Sequence, residues 1–146
     1  MSATNAFETD LLKLIFQNVA LANVGDASGL QPSSTAGSLY ISLHTGDPGE
    51  TGDQTTSEAN YTGYGRVAVA RSADGWTVTG NNVSNAAKVT FGACSAGTNA
   101  VTHFGIGTAE TTAGHLLFSG ALTASLAVSA GITPEFAIGD LDVTAD

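Results

Sequence analysis

The segment Leu39-Tyr40-Ile41-Ser42-Leu43-His44-Thr45-Gly46-Asp47-Pro48-Gly49-Glu50-Thr51-Gly52-Asp53 places one histidine and three carboxylates within ten residues. Imidazoles and carboxylates bind metals and move protons, so chemistry would be sought here first. The spacing argues against it. A calcium loop needs oxygen ligands in an order such as D-x-D-x-D-G, and a structural zinc site needs four ligands, usually including several Cys or His. Neither pattern is met. Asp47-Pro48-Gly49 is explained as a turn, because Pro fixes φ at one central position and Gly tolerates positive φ at the next. His44 has the parity of Tyr40 and Ser42, which predicts that it points away from the buried face of its strand.

Other chemistry fares no better. Nucleophilic catalysis needs a nucleophile, a base and an orienting group, with a device such as G-x-S-x-G, and no serine lies in that motif. Cys94, a solitary cysteine after Phe91, reads as a buried apolar residue. A carboxylate pair for glycoside hydrolysis normally needs a larger cleft than this chain readily builds. Thr102-His103-Phe104-Gly105-Ile106-Gly107 contains G-x-G without a third glycine or a following helix, so it is no dinucleotide fingerprint, and His103 reads as an outward or interstrand residue. The sequons at Asn60-Tyr61-Thr62 and Asn82-Val83-Ser84 are read as chance matches. Tyr61 and Tyr64 could stack on sugar rings, but their glycine-rich setting favours packing at a sheet edge. No catalytic, metal-ligating or cofactor-binding residue is assigned, no cofactor is expected, and the chain is read as not an enzyme.

The elements that would position these residues are short. Over residues 5–24, Phe7, Leu11, Leu14, Ile15, Val19 and Ala22 recur at spacings of three and four, predicting a helix with Asn5 as its cap, Glu8 as capping-box partner and Gly25 as its stop. Leu12, Phe16 and Leu21 fall off that stripe and leave apolar surface for a partner. Residues 25–38 read as loop. Beyond them the period becomes two. Strands are expected at 39–44 and 66–70, at 76–79 after an Asp74-Gly75 hairpin, near 87–91 and 101–106, and as two strands broken near Gly120 in 116–128. Phe136 to Val143 closes the chain, with a parity shift at Gly139. Short strands joined by turns predict a mainly β fold: an antiparallel β-sandwich, jelly roll first and immunoglobulin-like second, with one N-terminal α-helix. A single domain over 1–146 is expected, with its sandwich over 38–146.

Only 12% of residues are charged, about half the usual share, and 13 acids against 4 bases give a formal net charge of −9. Lys13, Arg66, Arg71 and Lys88 cannot build a strong basic patch, so nucleic acid is not expected as a partner. No run of eighteen apolar residues is present, which excludes a helical membrane span. Glu8, Asp10 and Lys13 interrupt any leader, so no secretory signal is expected, and the lone Cys94 fits folding in a reducing cytoplasm. Thr, Ser, Asn and Gly must cover most of the exterior, a surface suited to fixed contacts with neighbours.

Four segments together resemble a family of small virion proteins from tailed bacteriophages, commonly labelled tail-fibre or minor tail proteins. They are Leu39 to Thr45 with Asp47-Pro48-Gly49, Tyr61-Thr62-Gly63-Tyr64-Gly65-Arg66, Thr102-His103-Phe104-Gly105-Ile106, and Leu117-Phe118-Ser119-Gly120-Ala121-Leu122. The resemblance covers about residues 5–146; Gly65, where the family pattern often has Ala, is a departure. It implies a structural protein of the virion, made in the host bacterial cytoplasm, and carries over no catalytic residue. Size and inferred architecture are also similar to those of capsid cement or decoration proteins. Because the chain has neither repeats nor heptads, we expect a cement protein on the capsid exterior, bridging major capsid subunits as a dimer or trimer. The alternative is a tail or tail-fibre structural protein touching a host glycan through Tyr61 and Tyr64. The expected interface residues are Phe7, Leu11, Leu12, Phe16, Asp47, Glu50, Tyr61 and Tyr64.

Overall fold

The computed structural model describes residues 2–145. Among them lie one α-helix, α1 (Asn5–Gln17), and nine strands: β1 (Ser38–His44), β2 (Val67–Ala70), β3 (Trp76–Thr79), β4 (Asn82–Asn85), β5 (Val89–Thr90), β6 (Asn99–Gly107), β7 (Leu116–Val128), β8 (Glu135–Phe136) and β9 (Asp142–Thr144). The sheets run β2-β1-β6-β7, β3-β4-β9 and β5-β8. The pairings of β1 with β6, β6 with β7, β3 with β4 and β4 with β9 are antiparallel. The mainly β class, the antiparallel sheets and the N-terminal helix are those predicted.

The chain forms two compact units. One comprises the chain up to Ser38, Val69–Lys88 and the chain from Phe136; the other comprises Leu39–Ala68 and Val89–Glu135. In the first, α1 packs on β3 and β4. The helix is shorter than predicted. Thr4, not Asn5, is the N-cap, accepting from the Phe7 amide, and Asn18 adopts the left-handed conformation (φ 57°) that ends the helix seven residues before Gly25. Its buried stripe is Glu8, Leu12 and Phe16, at spacings of four. This corrects the predicted face, because Leu12 and Phe16 are core residues whereas Phe7 and Val19 are exposed. Phe16 meets Trp76 edge-on, with ring centroids 4.8 Å apart.

Arg71 completes the helix end. Its guanidinium donates to the carbonyls of Leu14 (2.7 Å) and Ile15 (2.6 Å), which the last turn leaves without helical partners. It also donates to Ala36 O at 3.1 Å, tying the 18–37 loop to the helix.

The second unit holds most of the four-stranded sheet. Tyr40 pairs with Gly107, Ser42 with Gly105 and His44 with His103, so these six residues share one face, while Leu39, Ile41, Leu43, Phe104 and Ile106 share the other. The strand broken near Gly120 is instead continuous. Gly120 pairs with Phe104, and the ladder slips where Val101 and His103 face Leu126 and Ala121, leaving residues 122–125 opposite Thr102 alone. Asp74-Gly75 forms a turn between strands of different sheets, not a hairpin.

Candidate functional site

The opening motif builds the most elaborate polar arrangement in the second unit. After His44 the chain turns at Asp47-Pro48-Gly49 as predicted: Asp47 Oδ1 accepts from the Gly49 amide at 2.9 Å and Gly49 takes φ 68°. It then runs back as a strap over the face of β1 that carries Tyr40, Ser42 and His44. Thr45 N–H donates to Ser57 O, and Ala59 N–H donates to Leu43 O, both at 2.8 Å, closing the base of the strap.

Beneath the strap, Ser42 and His44 have no exposed surface. This corrects the prediction of an outward His44, since the polar face of β1 is buried by a segment that periodicity alone reads as loop. His44 Nδ1 lies 2.8 Å from Thr56 O and Nε2 lies 2.8 Å from Ser42 Oγ. A carbonyl only accepts, so we assign the proton to Nδ1 and the serine hydroxyl as donor to Nε2. Burial holds the imidazole below its ordinary pKa, against the upward pull of the Thr56 carbonyl and Glu58.

Serine, histidine and an orienting acceptor form the outline of a nucleophilic relay. They lack an approach. A β-carbon at Gly105 would stand 2.6 Å from Ser42 Oγ and 2.7 Å from His44 Nε2, so the backbone of β6 closes directly over the pair. Gln54, also without exposed surface, seals the neighbouring position. Its Oε1 accepts from the Ala109 amide at 2.9 Å, its Nε2 donates to Tyr40 O at 3.4 Å and its backbone N–H donates to Ala113 O at 3.1 Å. The G-x-G of β6 thus has a steric purpose: two glycines, alternating on one face, admit the Ser42–His44 pair and the Gln54 side chain.

The base of the strap is held by an ion pair as well. Arg66 Nε and Nη2 contact the two Glu58 oxygens at 2.7 and 2.8 Å, and its Nη1 donates to the carbonyls of Ala109 (2.7 Å) and Thr112 (2.6 Å). The Arg66 side chain is 3% exposed. Glu58 holds the guanidinium above its ordinary pKa. Tyr64 O–H donates to Glu58 Oε1 at 2.7 Å and its oxygen accepts from the Leu43 amide at 3.1 Å, while burial raises its pKa far above the usual phenol range.

The tyrosines are therefore structural. Tyr61 is 3% exposed and donates to Gly92 O at 3.0 Å. Tyr64 is half-buried, edge-on to Tyr61 at 5.4 Å and stacked near Phe91 at 6.3 Å. This is the packing role that their glycine-rich setting favoured rather than the glycan platform of the alternative reading, since Tyr61 is enclosed and the Tyr64 hydroxyl is committed to Glu58 and Leu43. Of the other expected interface residues, Asp47, Glu50 and Phe7 are exposed, Leu11 is half-buried, and Leu12 and Phe16 are buried in the core. The helical four lie in the first unit and the remaining four in the second.

Sequence reasoning missed Gln54, Glu58 and both arginine anchors, because no local spacing marks a side chain that pairs across the fold. Among the described residues, no group of three or more His, Cys, Asp or Glu side chains is disposed to hold a metal, and no helix is long and apolar enough to cross a membrane. No curated protein matches the chain. Residues 2–144 match the family model Gp80, described as podophage GP4 fiber I protein gp80, and the chain belongs to that family of phage fibre structural proteins.

Proposed function

We propose that the chain is a non-enzymatic structural subunit of the tail-fibre apparatus rather than a capsid cement protein. The family match over residues 2–144 carries this reading. It favours the fibre alternative over the cement role expected from size and the lack of repeats, and a direct contact with the major capsid protein belongs to the cement role.

The polar groups that could do chemistry support a structural assignment. Ser42, His44, Gln54, Glu58, Tyr64 and Arg66 all hold the strap to the sheet, and the most reactive pair lies under backbone. Such networks make one conformation much better than its competitors. For a virion part built from many copies, a single rigid shape is the useful property. We assign the partners as further copies of the same chain, two or three per assembly, supported by a chain in which only 12% of residues are charged.

Localisation on the particle tests the proposal. Electron microscopy of virions decorated with an antibody to the chain should place label on the tail fibres and leave tail-free heads bare. Many copies on purified heads would overturn the fibre reading and restore the cement role.

A further inference from the structure

The strap is fastened to the sheet through a buried histidine that has no room for a second proton. His44 Nδ1–H donates to Thr56 O and Nε2 accepts from Ser42 Oγ, both at 2.8 Å, and neither Ser42 nor His44 has exposed surface. A proton on Nε2 would make both ring nitrogens donors. Ser42 would then have to accept, turning its own hydroxyl hydrogen into a space bounded by Gly105 and Leu116, whose Cδ1 is 2.7 Å from a Gly105 β-carbon position. One buried donor would lose its acceptor as a buried charge appeared.

The charged and titratable groups facing the ring do not offset this. Glu58, just beyond the strap, favours the imidazolium, but Arg66 and His103 oppose it, and Glu58 is already paired bidentately with Arg66.

We propose that the segment from Gly46 to Ser57 is an acid-sensitive strap, opened when His44 takes up a proton and closed when His44 is neutral. It is the cheapest covering to move, because it is largely turn and loop while the other side of the ring is the β1–β6 ladder. The pairing of Ala59 with Leu43 and the Glu58–Arg66 pair lie outside the segment and serve as its hinge. Opening would release the Thr56–His44 bond and the Gln54 bonds to Tyr40, Ala109 and Ala113. It would also carry the exposed Asp47 and Glu50 away from the sheet.

The sign follows from linkage. The closed form has the lowered pKa and the open form an ordinary one near 6.5, so closure is complete above about pH 6.5 and weakens as pH falls toward the closed-form pKa. With an open-form pKa of about 6.5, moving from pH 7.5 to 5.5 raises the opening equilibrium by at most about tenfold.

Hydrogen exchange of the full chain, corrected for the intrinsic pH dependence of amide exchange, tests this. The amides of Gln54 and Ala109, whose acceptors are Ala113 O and Gln54 Oε1, should lose protection, by at most about tenfold, from pH 7.5 to 5.5 while the β1–β6 ladder keeps its own. His44→Asn, whose side-chain amide can still donate to Thr56 O, should abolish the response, and His103→Gln should keep it. Equal loss across the ladder, or no loss at Gln54 and Ala109 in the unaltered protein, overturns the proposal. So does a response that survives in a folded His44→Asn or disappears in His103→Gln.

Discussion

Gln54 stands where a β-carbon on Gly107 would have to be: its Cδ is 2.1 Å and its Oε1 2.5 Å from that position. Gly107 has no need of an unusual backbone conformation, so its small size is what the site requires. Gly107→Ala should push Gln54 out of its bonds to Tyr40 and Ala109 and destabilise the protein by about 2–4 kcal/mol, combining overpacking with a lost buried acceptor. Urea denaturation measures this. In a Gln54→Ala background the same substitution should cost less than half as much, because the colliding atoms are gone. An equal cost in both backgrounds would place the strain elsewhere.

Arg66 joins Glu58, at the base of the strap, to two carbonyls of the 108–115 loop. Lysine keeps the charge but cannot present a planar fork, so Arg66→Lys leaves Ala109 O, Thr112 O and one Glu58 oxygen short of donors. We expect a loss of about 2–4 kcal/mol, somewhat less than removing one partner of a buried pair outright, because the positive charge stays. A double-mutant cycle with Glu58→Gln should give a coupling above about 1 kcal/mol. A coupling near zero would mean that the carbonyl contacts alone anchor the arginine.

What the sequence made legible was what depends on near neighbours. The period of two at Leu39, Ile41 and Leu43 located β1, Asp47-Pro48-Gly49 located its turn, and the order of four segments located the family. What it hid depends on the fold closing on itself. His44 has the parity of an outward residue and became buried only because Gln54 and Thr56 return over it. The helix stripe was misassigned for a related reason. Leu11, Leu14 and Ile15 form as regular a pattern as Glu8, Leu12 and Phe16, and only the position of β3 and β4 decides which faces inward. A glutamate within the buried stripe disguised it further.

That helix assignment separates cleanly by mutation. Phe16 has no exposed surface and packs edge-on to Trp76, so Phe16→Ala should cost about 3–5 kcal/mol through lost burial and a cavity. Phe7 is 44% exposed, and Phe7→Ala should change stability by about 0.5 kcal/mol or less. Thermal unfolding followed by tryptophan fluorescence reads both, since Trp76 is the sole tryptophan. Comparable losses at the two positions would return the helix to the face predicted from spacing.

Asn18 ends the helix by two separable means. Its backbone occupies the left-handed region, where a β-carbon is unfavourable, and its side chain bonds to both the amide and the carbonyl of Ser33 at 2.9 Å. Asn18→Ala removes the side-chain bonds and keeps the unfavourable backbone, for an expected loss of about 2–3 kcal/mol. Asn18→Gly removes the same bonds but accepts the positive φ, so it should recover about 1 kcal/mol relative to alanine. If glycine is no better than alanine, the Ser33 bonds hold the 18–37 loop by themselves and the backbone stop is incidental. If glycine matches asparagine, the stop is a matter of φ alone, and the loop is tied down mainly by Arg71 through Ala36.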